Sequence, residues 1–261
     1  TQDDAHIFCT PAQIESEITA LFGFIFEIYE LFGFSGVEVY LSTRPAKSMG
    51  DPEVWAHAEA VLARCLEERE DLSYTVKPGE GAFYGPKIDF DVHDALGRAW
   101  QLATIQLDFQ MPERFDLSYV DADGVERRPV MIHRAILGSL ERFFGVMLEH
   151  FGGDLPPWLA PLQARVLPVT DGANDYAQQV AAALVARGLR AEVDRRSEKL
   201  GYKIRDGETM KVPYLLVVGQ REAENGTVSL RLRHGRDEGV QPMSAVVDRI
   251  ANIVSTRSLE P

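Results

Sequence analysis

The sequence predicts an α+β domain followed by a small α/β domain, and three observations lead to this prediction. Before residue 151, helical patterns and period-two strand patterns occur in separate blocks, which is typical of helices packed on an antiparallel sheet. After residue 157, strand and helix patterns alternate, which indicates a mixed sheet. Between the two regions, residues 151–157 read FGGDLPP, a run of turn formers ending in two prolines that cannot continue a helix.

Capping patterns mark the first two helices. Residues 5–9 alternate as a strand, and Thr10-Pro11 with Gln13 then forms a capping box, so a helix is expected through residue 31. Asp51-Pro52 starts a second helix, which is expected to run to about residue 68.

The remaining elements of the first domain are predicted from periodicity and turn residues. Residues 37–41, 86–92 and 98–109 alternate with a period of two, and the last two segments form an antiparallel hairpin. A tight turn is expected at residues 121–124 and an amphipathic helix over residues 134–150.

The second domain is predicted to contain four strands and three helices in alternation. The strands are expected at residues 164–169, 190–193, 214–218 and 228–233, and the helices at residues 172–188, 198–205 and 240–254. We therefore place the domains at residues 1–152 and 158–261.

Composition excludes some classes of function. No apolar run reaches the roughly 20 residues that span a bilayer, and the two cysteines, Cys9 and Cys65, lie far apart. This argues against an all-cysteine zinc site and a disulfide scaffold, so both are expected to be buried thiols of a cytoplasmic protein. The net charge of −13 weighs against broad non-specific binding of nucleic acid, although a local basic cluster can still contact RNA.

Four stretches carry a family resemblance. They are TQDDAHIFC at residues 1–9, GAFYGPK at residues 81–87, RAWQ and QLDF at residues 98–101 and 106–109, and MIHRAILGSLERF at residues 131–143. In this order they resemble class II aminoacyl-tRNA synthetases, and within that class the threonyl enzymes. The resemblance implies an antiparallel class II sheet running from the second strand of motif 2 through motif 3, then an anticodon-binding domain with a mixed five-stranded sheet. It also implies that motif 1 and the start of motif 2 precede Thr1, so the chain is expected to begin partway through a domain.

The resemblance implies a zinc ion in the active site. His6 and His133 match two of the family's three ligands, and the third, a cysteine, is expected to precede Thr1 because neither cysteine of this chain stands at its position. Zinc with an open position can take the amino and hydroxyl groups of threonine. Without the resemblance, two such histidines are more simply interpreted as hydrogen-bonded interior residues.

The resemblance also implies residues that bind substrate. Those matching the amino-acid and adenylate pocket are Gln2, Asp4, Tyr84, Gln101, Gln106 and Ser139, with Asp4 expected to accept a hydrogen bond from the threonine hydroxyl. Lys87 is expected near a phosphate, and Arg142, the motif 3 arginine, against ATP, which carries Mg²⁺. Gly138 is expected to let the nucleotide approach closely. Leu102 departs from a cysteine found in some family members.

The second domain carries a basic stretch, DRRSEKLGYKIR at residues 194–205. It resembles the anticodon-binding domain shared by threonyl, prolyl, glycyl and histidyl enzymes, and its charges suit an RNA backbone. Arg205, Glu222 and Arg231 match positions that read anticodon bases, and Lys199 and Lys203 are expected to assist. Ser197 stands where an asparagine often occurs.

Together these features imply ATP-dependent ligation of threonine to its tRNA by an enzyme that is a homodimer when complete. The alternative is a non-catalytic, RNA-binding or regulatory relative. The retained pocket residues favour the enzyme.

Overall fold

The computed structural model describes all 261 residues and contains two compact units, residues 1–150 and 151–261. The elements of the first unit, in chain order, are β1 (Ala5–Cys9), α1 (Ile14–Leu31), β2 (Glu38–Ser42), α2 (Pro52–Glu67), β3 (Tyr74–Lys77), β4 (Lys87–His93), β5 (Ala99–Asp108), α3 (Gln110–Arg114), β6 (Tyr119–Val120), β7 (Glu126–Arg127), β8 (Val130–Ala135) and α4 (Leu140–His150). A single 3-10 turn at Pro11–Gln13 leads into α1.

Six of these strands form one sheet in the order β1-β8-β5-β4-β2-β3. All neighbours are antiparallel except β2 and β3, so the predicted antiparallel sheet is confirmed. The short strands β6 and β7 form a separate hairpin around the predicted turn.

The predicted starts of both long helices are present. The backbone N–H of Thr10 donates to Oε1 of Gln13 (2.9 Å), and the Asp51 carboxylate accepts from the backbone N–H of Glu53 (2.8 Å). Gly33, at φ +69°, adopts the left-handed conformation that ends α1.

Helix α1 covers one face of the sheet. The rings of Phe22 and Phe26 each lie 6.0 Å from that of Phe90 on β4. Because side chains alternate along a strand, Ile88, Phe90 and Val92 face this core while Lys87 and Asp89 belong to the opposite, polar face. The polar face is therefore available for a site.

The helix predicted over residues 134–150 begins too early, and this prediction is wrong at its start. Residues 130–135 form β8, which is paired on both sides by β1 and β5, and α4 begins only at Leu140. Gly138 at φ +68° interrupts any helix here, and a Cβ on it would lie 2.6 Å from the carbonyl oxygen of Leu102. Close packing on the backbone of β5 thus requires this glycine.

The second unit is a small α/β domain. Its elements are β9 (Ala164–Pro168), α5 (Asn174–Ala186), β10 (Ala191–Val193), α6 (Leu200–Thr209), β11 (Tyr214–Val218), α7 (Gln220–Asn225), β12 (Thr227–Leu232), β13 (Asp237–Pro242) and α8 (Met243–Ser255). The sheet order is β10-β9-β11-β12-β13; β10, β9 and β11 are parallel and the other pairs antiparallel, which confirms the mixed five-stranded sheet.

The two faces of this sheet bury different clusters. Val166, Leu216 and Leu230 pack with residues of α5 and α8, whereas Leu167 and Leu215 pack with residues of α6. The last helix was predicted from residue 240, which is wrong, because residues 237–242 pair with β12 and α8 begins at Met243.

No helix in either unit has the length and apolarity required to cross a bilayer.

Candidate active site

A polar cavity of about 400 Å³ lies on the face of the first sheet opposite α1. Eight residues singled out in the sequence line it: Gln2, Asp4, Tyr84, Gln101, Gln106, His133, Ser139 and Arg142. They come from four separate segments of the chain, and the pairing of β1, β8, β5 and β4 brings these segments together. The cavity is therefore a product of the tertiary fold.

Lys87 and His6 are the predicted pocket residues outside the cavity lining. The Lys87 ammonium donates to Oδ2 of Asp89 (2.7 Å) on the same face of β4. His6 lies beside the cavity, with its ring 4.6 Å from that of His133 in an edge-to-face arrangement, because the two residues are directly paired across β1 and β8.

The orientation of His133 is set by a buried acid. Its Nε2 lies 2.8 Å from Oδ2 of Asp108, a residue with no exposed surface. The other oxygen of Asp108 accepts from the backbone N–H groups of Gln110 and Met111 (2.7 and 3.0 Å). A carboxylate oxygen accepts, so Nε2 of His133 donates to Asp108, and Nδ1 is the ring nitrogen that a metal ion could bind.

The two imidazoles fit a zinc site in part. Imidazole nitrogen is a common zinc ligand, and a carboxylate bonded to the far nitrogen is a frequent support for such a ligand. However, no cluster of three or more His, Cys, Asp or Glu side chains in the chain could hold a metal ion. The two histidines therefore supply at most part of a zinc ligand set.

Tyr84 is a neutral phenol in this cavity. Burial, and then the nearby carboxylates of Asp108 and Asp4, raise the pKa of Tyr84 to about 12. Its hydroxyl donates to Oε1 of Gln106, and its ring lies 4.9 Å from that of His133.

Asp3 shapes the loop between β8 and α4. Its carboxylate accepts from the backbone N–H groups of Ile136 (2.9 Å), Leu137 (3.1 Å) and Gly138 (3.0 Å). This loop carries Ser139 and leads to Arg142, so the carboxylate holds that wall of the cavity.

Arg142 lies against an aromatic surface. Its guanidinium carbon is 5.6 Å from the centre of the Trp100 ring, and the Trp100 indole N–H donates to Asp94 (2.8 Å). The guanidinium is therefore held at the cavity edge by a ring that is itself anchored.

Sequence reasoning missed several residues of this site. Thr104, Arg134 and Ala135 also line the cavity, beside Leu102 and Gly138, which the sequence had singled out. Two acids behind the cavity, Asp89 and Asp108, support lining residues and were also missed. The period-two pattern of β4 and β5 could have grouped Asp89 and Thr104 with Lys87 and Gln106, since all four belong to one face of adjacent strands.

The residues expected to contact an anticodon occupy different elements of the second unit. Lys199 precedes α6, and Arg205 is exposed on α6. Arg231 pairs with Leu215 on β11, so it belongs to the sheet face that α6 covers, and it donates to Asp237 (2.6 Å). Glu222 accepts from the backbone N–H of Gly219 (2.8 Å) at the start of α7.

The expectation that Lys203 belongs to an exposed basic cluster is wrong. Lys203 is only 4% exposed, and its ammonium donates to the carbonyl oxygens of Pro168 and Asp194 (both 3.1 Å). Its position on the inner side of α6 directs the side chain at the end of β9, away from solvent. It stabilises the fold and offers no charge to an RNA backbone.

Comparison with protein families gives two matches. Residues 1–151 match the family described as tRNA synthetase class II core domain (G, H, P, S and T). Residues 163–253 match the family described as anticodon binding domain.

Individual relatives agree with these matches. The chain is 53% identical over 259 residues to the threonine–tRNA ligase of Magnetococcus marinus and 54% identical to that of Syntrophomonas wolfei, in each case covering 99% of this chain. It spans 40% of the length of these curated relatives. Among solved structures, the RNA binding domain of threonyl-tRNA synthetase from Cryptosporidium parvum is 43% identical with a TM-score of 0.90, covering 97% of this chain and 63% of that one.

Proposed function

The chain belongs to the class II tRNA synthetases, and from this membership we propose that it is the substrate-binding part of a threonine–tRNA ligase together with its anticodon-binding domain. The reaction joins threonine to ATP, giving threonyl-adenylate and pyrophosphate, and then transfers the threonyl group to a ribose hydroxyl of the tRNA with release of AMP. The observation that carries the proposal is the convergence of eight sequence-matched polar residues on one cavity.

The chemistry requires positioning and charge stabilisation. A carboxylate oxygen of threonine attacks the α-phosphorus of Mg²⁺-bound ATP, and the bond to the pyrophosphate oxygen breaks. Arg142, at the cavity edge on Trp100, would pack against the nucleotide and offset its charge. Lys87 has further N–H groups besides the one that bonds Asp89, and we assign them to a phosphate oxygen.

His6 and His133 would hold the zinc ion, with the third ligand, a cysteine, supplied from outside this chain. When bound, zinc supplies a Lewis-acidic position for the amino and hydroxyl groups of threonine. Asp108 fixes the ring of His133 for this role through the 2.8 Å contact.

Asp4 is the residue proposed to read the threonine side chain. A carboxylate lining the cavity accepts a hydrogen bond from a hydroxyl, and valine has no hydroxyl to donate. A site built around such a bond rejects the isosteric hydrocarbon strongly, because its own polar group would stay unpaired. Gln2, Gln101 and Ser139 complete the polar wall.

In the second unit, we propose that Arg205, Glu222 and Arg231 read anticodon bases and that Lys199 contacts the RNA backbone. Lys199 and Arg205 are exposed, and lysine and arginine side chains suit phosphate and unstacked bases. The proposal includes the homodimer that the resemblance implies for the complete enzyme.

A pair of stable adenylate analogues tests the cavity assignment. Threonyl sulfamoyl adenosine and its prolyl counterpart would be titrated calorimetrically against the chain, with Zn²⁺ present. We expect the threonyl compound to bind more tightly, and Asp4→Asn to reduce that preference. Equal affinity for the two compounds, or no binding of either, would contradict the proposal.

A further inference from the structure

Asp89 is a buried acid behind the cavity whose hydrogen-bonding capacity is completely used. Its side chain is 4% exposed. Oδ1 accepts from Nε2 of Gln101 (2.6 Å) and Oγ1 of Thr104 (3.0 Å), while Oδ2 accepts from Oγ of Ser42 (2.9 Å) and Nζ of Lys87 (2.7 Å). Four donors fill the four lone-pair positions of an ionised carboxylate.

This carboxylate determines where the single proton of Thr104 lies. Asp89 can only accept, so the Thr104 hydroxyl donates to it and leaves its lone pairs for another donor. The neighbour on that side is Nε2 of Gln106, 3.3 Å from Oγ1 of Thr104. The Gln106 amide is therefore oriented with its nitrogen toward Thr104 and its oxygen toward Tyr84.

The same direction of hydrogen bonding extends to Tyr84. Because Oε1 of Gln106 can only accept, the phenol donates its one proton to it. The oxygen of Tyr84 then has only lone pairs to offer the cavity.

We propose that Asp89 is a positioning residue which, through Thr104 and Gln106, makes Tyr84 a hydrogen-bond acceptor for an N–H of the amino group of the amino-acid substrate. The identity of that substrate rests on the proposed function; the direction of the hydrogen bonds does not. Asp89 lies outside the cavity lining, and its bond to Thr104, a lining residue, connects it to Gln106 and Tyr84.

The cavity chemistry agrees with a donor-bearing ligand. Asp4 adds a second acceptor to the same lining, and Tyr84 contributes its lone pairs. A ligand group here gains most when it brings N–H or O–H donors, as the amino group of an amino acid does. A carboxylate or carbonyl beside Tyr84 and Asp4 would meet lone pairs of both.

The first test uses the unliganded chain and nuclear magnetic resonance of the side-chain amide of Gln106. Thr104→Val keeps the shape but removes the hydroxyl, whereas Thr104→Ser keeps the hydroxyl. Thr75→Val, at an exposed position of β3 in the same sheet, is the matched control. We expect Thr104→Val to shift the Gln106 amide protons and speed their exchange with water, and Thr104→Ser and the control to leave both unchanged. Identical Gln106 signals in the wild type and all three variants would overturn the proposed series of hydrogen bonds.

The second test measures selectivity for the amino group. Threonyl sulfamoyl adenosine is compared with the analogue in which hydrogen replaces the amino group. We expect the preference for the amine to fall about tenfold in Thr104→Val, the effect of losing one good hydrogen bond, and to return in Thr104→Ser. Asp89→Asn should show the same loss of preference. If Asp89→Asn does not fold, the comparison of Thr104→Val with Thr104→Ser alone tests the positioning role.

The two tests separate the proposals. If neither compound binds the wild-type chain while Gln106 responds to Thr104→Val, the proposed function fails and the direction of the hydrogen bonds stands. If both compounds bind and the amine preference is the same in the Thr104 variants and the wild type, the positioning role is refuted.

Discussion

Replacing Asp3 by asparagine tests how the fold holds the cavity wall. The carboxylate accepts three backbone N–H bonds, at 2.9, 3.1 and 3.0 Å, from Ile136, Leu137 and Gly138. Asparagine has one acceptor oxygen, so at least one of these amides faces an NH₂ group and loses its partner. A hydrogen bond to a charged acceptor contributes ~1.5–3 kcal/mol. The side chain is 20% exposed, so water recovers part of the loss. We expect Asp3→Asn to lower the free energy of unfolding of the first unit by about 2 kcal/mol.

The assay combines urea unfolding with amide hydrogen exchange at residues 136–138. A local loss of about 2 kcal/mol corresponds to about 30-fold faster exchange there. Asp4→Asn is the matched control, since Asp4 lines the cavity and does not hold this loop. Its effect on unfolding is expected to stay within about 0.5 kcal/mol. If the two variants unfold alike and exchange at residues 136–138 is unchanged, the carboxylate does not hold the loop and this reasoning is refuted.

Three further outcomes follow from buried groups. Tyr29→Phe should destabilise the first unit by about 3 kcal/mol in urea unfolding. The Tyr29 hydroxyl pairs with the buried backbone N–H of Ala103 and the buried carbonyl of Ile136, and both would lose their partner. A loss under about 0.5 kcal/mol would contradict this prediction. Burial raises the pKa of the Cys9 and Cys65 thiols to about 11, so at pH 8 only about one thiol in a thousand is thiolate. Iodoacetamide should therefore label both cysteines in urea but neither in buffer, and rapid labelling of the native protein would refute this prediction. Lys199→Met should reduce the slope of log affinity for RNA against log salt concentration by about one phosphate contact. Lys203→Met should lower the free energy of unfolding and leave that slope unchanged, because Lys203 is buried. Equal slopes for the two variants would contradict this difference.

The elements predicted correctly are those whose signals are local. The capping residues Thr10 and Asp51 and the period-two alternation of β4 and β5 act within a few residues, and each marks an observed boundary or face. The start of α4 depends instead on Asp3, which lies more than 130 residues away in sequence. Its helical periodicity extends into β8, and only pairing with two neighbouring strands makes that segment a strand. The same holds for β13, where pairing with β12 overrides a helical pattern.

In the candidate site, too, residues with a local sequence signal were predicted and residues defined by long-range contacts were not. The family resemblance identified eight lining residues, because motif positions can be matched one by one. It did not reveal Asp89 or Asp108, whose importance lies in side-chain contacts across strands. Lys203 was misjudged for a related reason, since charge alone does not tell which side of α6 a lysine occupies.

Binding of the chain to threonine tRNA, beside the same tRNA with an altered anticodon and at one fixed salt concentration, tests the central claim most directly. The second unit matches the anticodon-binding family over residues 163–253 and has its own core, so it should bind without help from upstream residues. We expect clear preference for the native anticodon, and loss of that preference in Arg205→Ala or Arg231→Ala. Equal binding of the two tRNAs, or none, would contradict the assignment of this chain to a threonine–tRNA ligase and favour a relative with another task.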